Sequence, residues 1–158
     1  MIIRTITRAL PLLAAGVLLA NPAYAGEAEH IRASQAWIRI LPGDLPAGAY
    51  VVLENTGDRP ATLRSASSTR YGSVMLHKSS SEGGISRMAM VESLVIPAHG
   101  KAELAPGGYH LMMSKANPPV KVGDDVKLTL HFDDGSTLDT DFVTRPANAT
   151  DAGDAHKH

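Results

Sequence analysis

From Gln35 onward the chain is written in short segments in which apolar and polar positions alternate or β-branched residues cluster. Gln35–Ile40, Ala49–Glu54, Thr62–Ser67, Ser73–Lys78, Ile85–Met90, Ser93–Ile96, Lys101–Leu104, Tyr109–Ser114, Asp125–Phe132 and Ser136–Val143 each suit a strand. Turn residues separate them: Leu41-Pro42-Gly43, Asn55-Thr56-Gly57-Asp58, Glu82-Gly83-Gly84, Pro106-Gly107-Gly108, Asn117-Pro118-Pro119 and Asp133-Asp134-Gly135. Asp134-Gly135, between two clean strand patterns, predicts a hairpin. Many short strands, with no capped helical period among them, predict an all-β sandwich or barrel. Trp37 and Phe142, aromatics in strands, are expected in its core.

The two ends are written differently. Arg4 and Arg8 precede an uncharged run, Ala9 to Ala20, which Asn21-Pro22 breaks before Ala23-Tyr24-Ala25. A positive start, a short apolar run and a small-x-small site make residues 1–25 a secretory signal peptide, cleaved after Ala25. The run is too short to span a bilayer, for which about 20 residues are needed. The mature domain is then expected over 26–145, exported to the periplasm with no membrane span. After Arg145 the residues turn small and polar, so 146–158 are expected to form a flexible tail ending in His156-Lys157-His158.

Composition narrows the chemistry. The 158 residues carry a formal net charge of −1 and no cysteine. Near neutrality argues against a nucleic-acid partner. Without cysteine there are no disulfides, thiolate metal sites, iron–sulfur clusters, thiol nucleophile or ordinary blue-copper centre. Serines such as Ser79, Ser80 and Ser81 stand in no nucleophile-elbow pattern, and Asp133 and Asp134 sit where a turn wants them. No catalytic cluster emerges, and the chain is not expected to be an enzyme.

Histidine and methionine are more informative. His110-Leu111-Met112 places His and Met two apart in one strand, so both project from the same face. His77 lies in a second strand segment, and Met88 follows a turn in what reads as its hairpin partner. Imidazole with thioether is a soft, neutral donor set that favours Cu(I) over zinc, magnesium or calcium. Met90 is a candidate alternate or supporting donor, but Met75, Met90 and Met113 are all assigned to core packing, the ordinary place for a strand methionine. His99, in a turn, and His131, in a strand, have no matching partners and are read as structural.

The spacing His77-x10-Met88-x21-His110-x-Met112 resembles the signature of the PCu(A)C periplasmic copper chaperones. Ala47-Gly48-Ala49-Tyr50, Val91-Glu92-Ser93-Leu94 and Leu104-Ala105-Pro106-Gly107-Gly108-Tyr109 look like the framework of that family, and the resemblance runs from about Ala33 to Phe142. Where many members have a Met two residues after the first His, this chain has Ser79. The resemblance implies a cupredoxin-like Greek-key β-sandwich binding Cu(I) through His77, Met88, His110 and Met112. It also implies transient partners that accept copper, a Sco-type chaperone or a cytochrome c oxidase subunit, with transfer by ligand exchange from a monomer. Some members carry His-rich extensions, so His156 and His158 are candidates for a second, Cu(II) site. The competing readings are an interaction or adhesion module with incidental His and Met, and a copper redox enzyme, which the lack of a three-histidine cluster disfavours.

Overall fold

The computed structural model describes residues 25–153. Residues 1–24 of the signal segment 1–25, and His156 and His158 of the tail, lie outside the described residues. A single 3-10 turn, Glu27–His30, precedes ten strands. These are β1 (Ile31–Arg39), β2 (Ala47–Asn55), β3 (Ala61–Ser68), β4 (Tyr71–Glu82), β5 (Ile85–Met90), β6 (Leu94–Ile96), β7 (Lys101–Leu104), β8 (Tyr109–Ala116), β9 (Asp125–Phe132) and β10 (Thr137–Arg145). Every segment whose pattern predicts a strand is one. They form one sheet in the order β5-β4-β8-β7-β2-β1-β10-β9-β3-β6. It curls until β3 meets β4 and β6 meets β7, giving the two layers of a sandwich.

Alternation decides which residues fill the space between the layers. Leu53, Leu63, Ile96, Leu111, Leu130 and Phe142 are all fully buried there. Each such side chain contributes about 1.5–3 kcal/mol relative to exposure. Among the described residues no helix is long and apolar enough to cross a membrane.

Two departures from the sequence reading have local causes. The first strand starts at Ile31 rather than Gln35, because a bulge between Ser34 and Trp37 interrupts its alternation. Gln35 takes the left-handed conformation (φ 52°) that absorbs the extra residue. Ala33 faces the core opposite Leu53, but beyond the bulge Ile38 faces inward and Trp37 and Arg39 outward. Trp37 is therefore buried as expected, but on the outer face, packed on Tyr50 at 4.7 Å between ring centres. The second departure is β4, which runs on through Ser79, Ser80 and Ser81 to Glu82 by pairing with β5. Those serines fall outside the predicted strand Ser73–Lys78 because the hairpin extends past the core and has no apolar face to bury.

The turn of that hairpin sets its register. Gly83 and Gly84 both have positive φ (58° and 77°), the two-residue turn whose twist matches paired strands. Glu82 then opposes Ile85, Ser79 opposes Met88, and His77 opposes Met90. Alanine at position 84 would put a Cβ into a left-handed residue at a cost of about 1–2 kcal/mol. Because β5 pairs only with β4, Gly84→Ala is expected to accelerate amide hydrogen exchange in β5 while leaving exchange in β8 and β9 unchanged.

Candidate metal centre

The outer face of β8 carries His110 and Met112, since Leu111 and Met113 are committed to the core. Antiparallel pairing sets His77 of β4 directly opposite His110, and Met75 opposite Met112. On the other side of β8, Gly48 of β2 opposes Met112. Met88 and Met90 of β5 share the same face, by their pairing with Ser79 and His77. Three strands, β4, β5 and β8, thus deliver two imidazoles and four thioethers to one side of the sheet.

Of the residues picked out by the motif, His77 and His110 are in contact. Their rings lie 5.8 Å apart between centres at an interplanar angle of 72°. Met88, His110 and Met112 line one shallow cavity of about 190 Å³, with Arg39, Leu45 and Tyr50 on its walls. Exposure is graded: His110 is 5% exposed at the floor, while Met88, at the rim, is 53% exposed.

Two ring nitrogens have no partner. His110 Nδ1 lies 3.1 Å from the Gly108 carbonyl oxygen. A carbonyl can only accept, so Nδ1 carries the proton and Nε2 keeps its lone pair. That Nε2, and Nδ1 of His77, are buried without a hydrogen bond. Buried polar atoms are rarely left unpaired without a use, and two on neighbouring rings suit an ion between them. A metal–imidazole bond near 2 Å is compatible with rings this close.

The surroundings favour the neutral form of His77. Burial, and secondarily the neighbouring His110, lower the pKa of His77 below the ordinary histidine value. Among the described residues no three His, Cys, Asp or Glu side chains cluster, so a site for a hard or thiolate-bound metal is not formed here. Soft neutral donors are what the cavity offers.

Arg39 escapes the motif, and Gly48 and Tyr50 enter the sequence reading only as framework. Arg39 donates from Nη2 to Tyr50 Oη at 2.8 Å and lies over the Tyr50 ring, 5.4 Å from its centre. Tyr50 in turn sits 6.4 Å from the His110 ring, continuing a stack that begins at Trp37. A Cβ on Gly48 would stand 2.7 Å from Tyr50 Oη, so glycine is what lets the phenol lie across β2. The shared parity of Trp37 and Arg39 was the available signal, hidden by the bulge.

The remaining methionines and histidines divide. Met113 is fully buried in the core, as expected. Met75 and Met90 are not core residues: they are 37% and 72% exposed, because their register with Met112 and His77 turns them to the outer face. His131 is held by Ser67 Oγ at 2.7 Å, and His99 sits in a turn with positive φ.

The depressed pKa of His77 carries a sign for folding. The unfolded chain binds a proton at the ordinary histidine pKa, near 6.5, and the folded chain only at lower pH. The stability associated with this group is therefore whole above that value and lost as pH falls through the folded pKa. Urea denaturation of the metal-free protein at pH 7 and pH 5 is expected to show a smaller loss in His77→Gln than in the parent.

The family described as "Putative lipoprotein LpqE-like" matches residues 30–144, nearly the whole sandwich. The chain is 33% identical to "Putative lipoprotein Lxx21020" of Leifsonia xyli subsp. xyli (strain CTCB07) over 112 residues, covering 70% of this chain and 67% of that protein. It is similar to the solution structure of CuI-DR1885 from Deinococcus radiodurans, with 32% identity, a TM-score of 0.59, and coverage of 78% of this chain and 81% of that one. The copper-bound PCuAC domain from PmoF2 superposes with a TM-score of 0.62 over 74% of this chain and 93% of that one; at 24% identity the likeness is one of fold. The all-β sandwich of the PCuAC domains, expected from the motif, is thus the fold of this chain.

Proposed function

This chain belongs to the LpqE-like family, and from that premise we propose that it binds one Cu(I) ion through His77, Met88, His110 and Met112 and passes it to other proteins. The observation that carries the reading is the pair of unpartnered, buried nitrogens on adjacent rings, His77 Nδ1 and His110 Nε2, with His110 sharing its cavity with the thioethers of Met88 and Met112. The similarity to a structure described as CuI-DR1885 supports the same ion.

Charge supports the monovalent state. All four donors are neutral, and Arg39 stands on the cavity wall with no carboxylate within 4 Å among the described salt bridges. A fixed cation there disfavours a divalent ion more strongly than a monovalent one. Thioether sulfur adds the matching softness.

The gradient of exposure supports carriage over catalysis. Met88 at the rim is the donor an incoming ligand meets first, and its replacement frees one bond without unfolding anything. Successive exchange of thioether and imidazole for an acceptor's donors moves the ion with no change of oxidation state. The place of action is the periplasm, reached by the signal segment 1–25. The acceptors are copper-binding partners such as a Sco-type chaperone or the copper-carrying subunit of cytochrome c oxidase, met by a monomer. His156 and His158 supply a separate imidazole pair for Cu(II) on the tail.

Anaerobic Cu(I) titration against a competing chelator tests this reading. One tight equivalent is expected, weakened at least about a hundredfold in His110→Ala and in Met112→Ala, because even outer partners of a ligand are worth 10–100-fold. X-ray absorption of the Cu(I) form is expected to show sulfur and nitrogen together. Nitrogen and oxygen alone, or no binding above that of an unrelated sandwich, would leave the interaction-module reading in its place.

A further inference from the structure

Three methionines are among the seven large hydrophobic side chains exposed in the described residues, and all three sit on the β4–β5 hairpin or its approach. Met88 has a role in the proposed centre. Met75 and Met90 have none, yet neither packs in the core, and an exposed methionine gains little from burial it does not have.

Their positions are defined by register. Met90 is directly across from His77, and Met75 is two residues before His77 on the same face. Met75 and Met90 are therefore diagonal neighbours across the β4–β5 pair, about 7–8 Å apart at the backbone and within reach of long side chains. Both are unbranched, flexible and solvent-accessible, so their sulfurs can converge on one ion without strain. Met90 lies on the far side of His77 from His110, on the edge strand β5, while Met75 stands on β4 directly across from Met112.

We propose that Met75 and Met90 form a second, outer thioether site for a soft monovalent ion, through which Cu(I) passes on its way into or out of the inner centre. The inference rests on the inner centre being a Cu(I) site. Transfer between the two is ligand exchange. A bond from the ion to Met75 or Met90 sulfur forms as one to Met88 or His77 breaks, the ion remains Cu(I), and no proton or electron moves. Two solvent-accessible thioethers without an imidazole hold the ion more weakly than the inner set, which suits a station on a path.

The full chain labelled with 13C at the methionine methyls, titrated anaerobically with Ag(I) as a redox-inert soft ion, tests the site. The first equivalent is expected to shift the Met88 and Met112 methyls, and the second those of Met75 and Met90. In Met75→Leu/Met90→Leu, two exposed and shape-conserving changes, the first equivalent should remain and the second disappear. Met75 and Met90 methyls that stay unmoved through two equivalents, or a double variant that still takes the second, would overturn the outer site. Failure of the inner reading is a different result, a first equivalent that leaves Met88 and Met112 unshifted. For the relay, withdrawal of Cu(I) by excess bicinchoninate should slow about tenfold in the double variant with affinity for the first equivalent unchanged; an unchanged rate would overturn it.

Discussion

The pairing of β8 with β4 is the constraint on which the candidate site depends. Alternation along β8 sends Leu111 and Met113 into the core, and their burial dictates that His110 and Met112 face outward. Leu76 and Val74 of β4 meet Leu111 and Met113 in register, so His77 must stand beside His110. A slip of one residue would expose the core leucines and bury the imidazoles. The hydrophobic core thereby maintains the geometry of a polar site in which its own side chains take no part.

Around that pair the structure supplies a dry floor and a wet rim. The Gly108 carbonyl orients His110, and Tyr50 and Trp37 cover the face behind it. Arg39 reaches this wall only because the bulge at Gln35 turns the end of β1 over. On the opposite flank β5 is an edge strand with every residue exposed. Serines and an arginine along this hairpin keep that edge from being a flat apolar template for aggregation. The proposed carriage of an ion uses this asymmetry, with one side to hold it and the other open to solvent.

Exposure separates methionines that composition treats alike. Met113 fills space between the layers, Met112 lines the cavity, and Met75, Met88 and Met90 face solvent. Thioether sulfur suits an oxidising compartment because it binds soft ions without forming disulfides, the route closed to a chain with no cysteine. The price is susceptibility to sulfoxidation at the exposed positions.

The residues alone determined the strand content, the turns and the four spaced candidate donors. Alternation and turn chemistry are local properties, and the i, i+2 relation of His110 to Met112 follows from strand geometry without knowledge of any neighbour. The beginning of β1 was illegible because a bulge breaks the alternation that betrays a strand. The serine run of β4 was illegible because that hairpin buries nothing. Only the tertiary structure decided which donors meet. Register between β4 and β8 joins His77 to His110 across a sequence gap that no periodicity spans, and the Gly83-Gly84 turn places Met88 and Met90 on the same face. The folded sheet also brought Arg39 and Tyr50 to the cavity and turned Met75 and Met90 outward, because the side of a sheet that a residue faces is settled by its partners across the ladder.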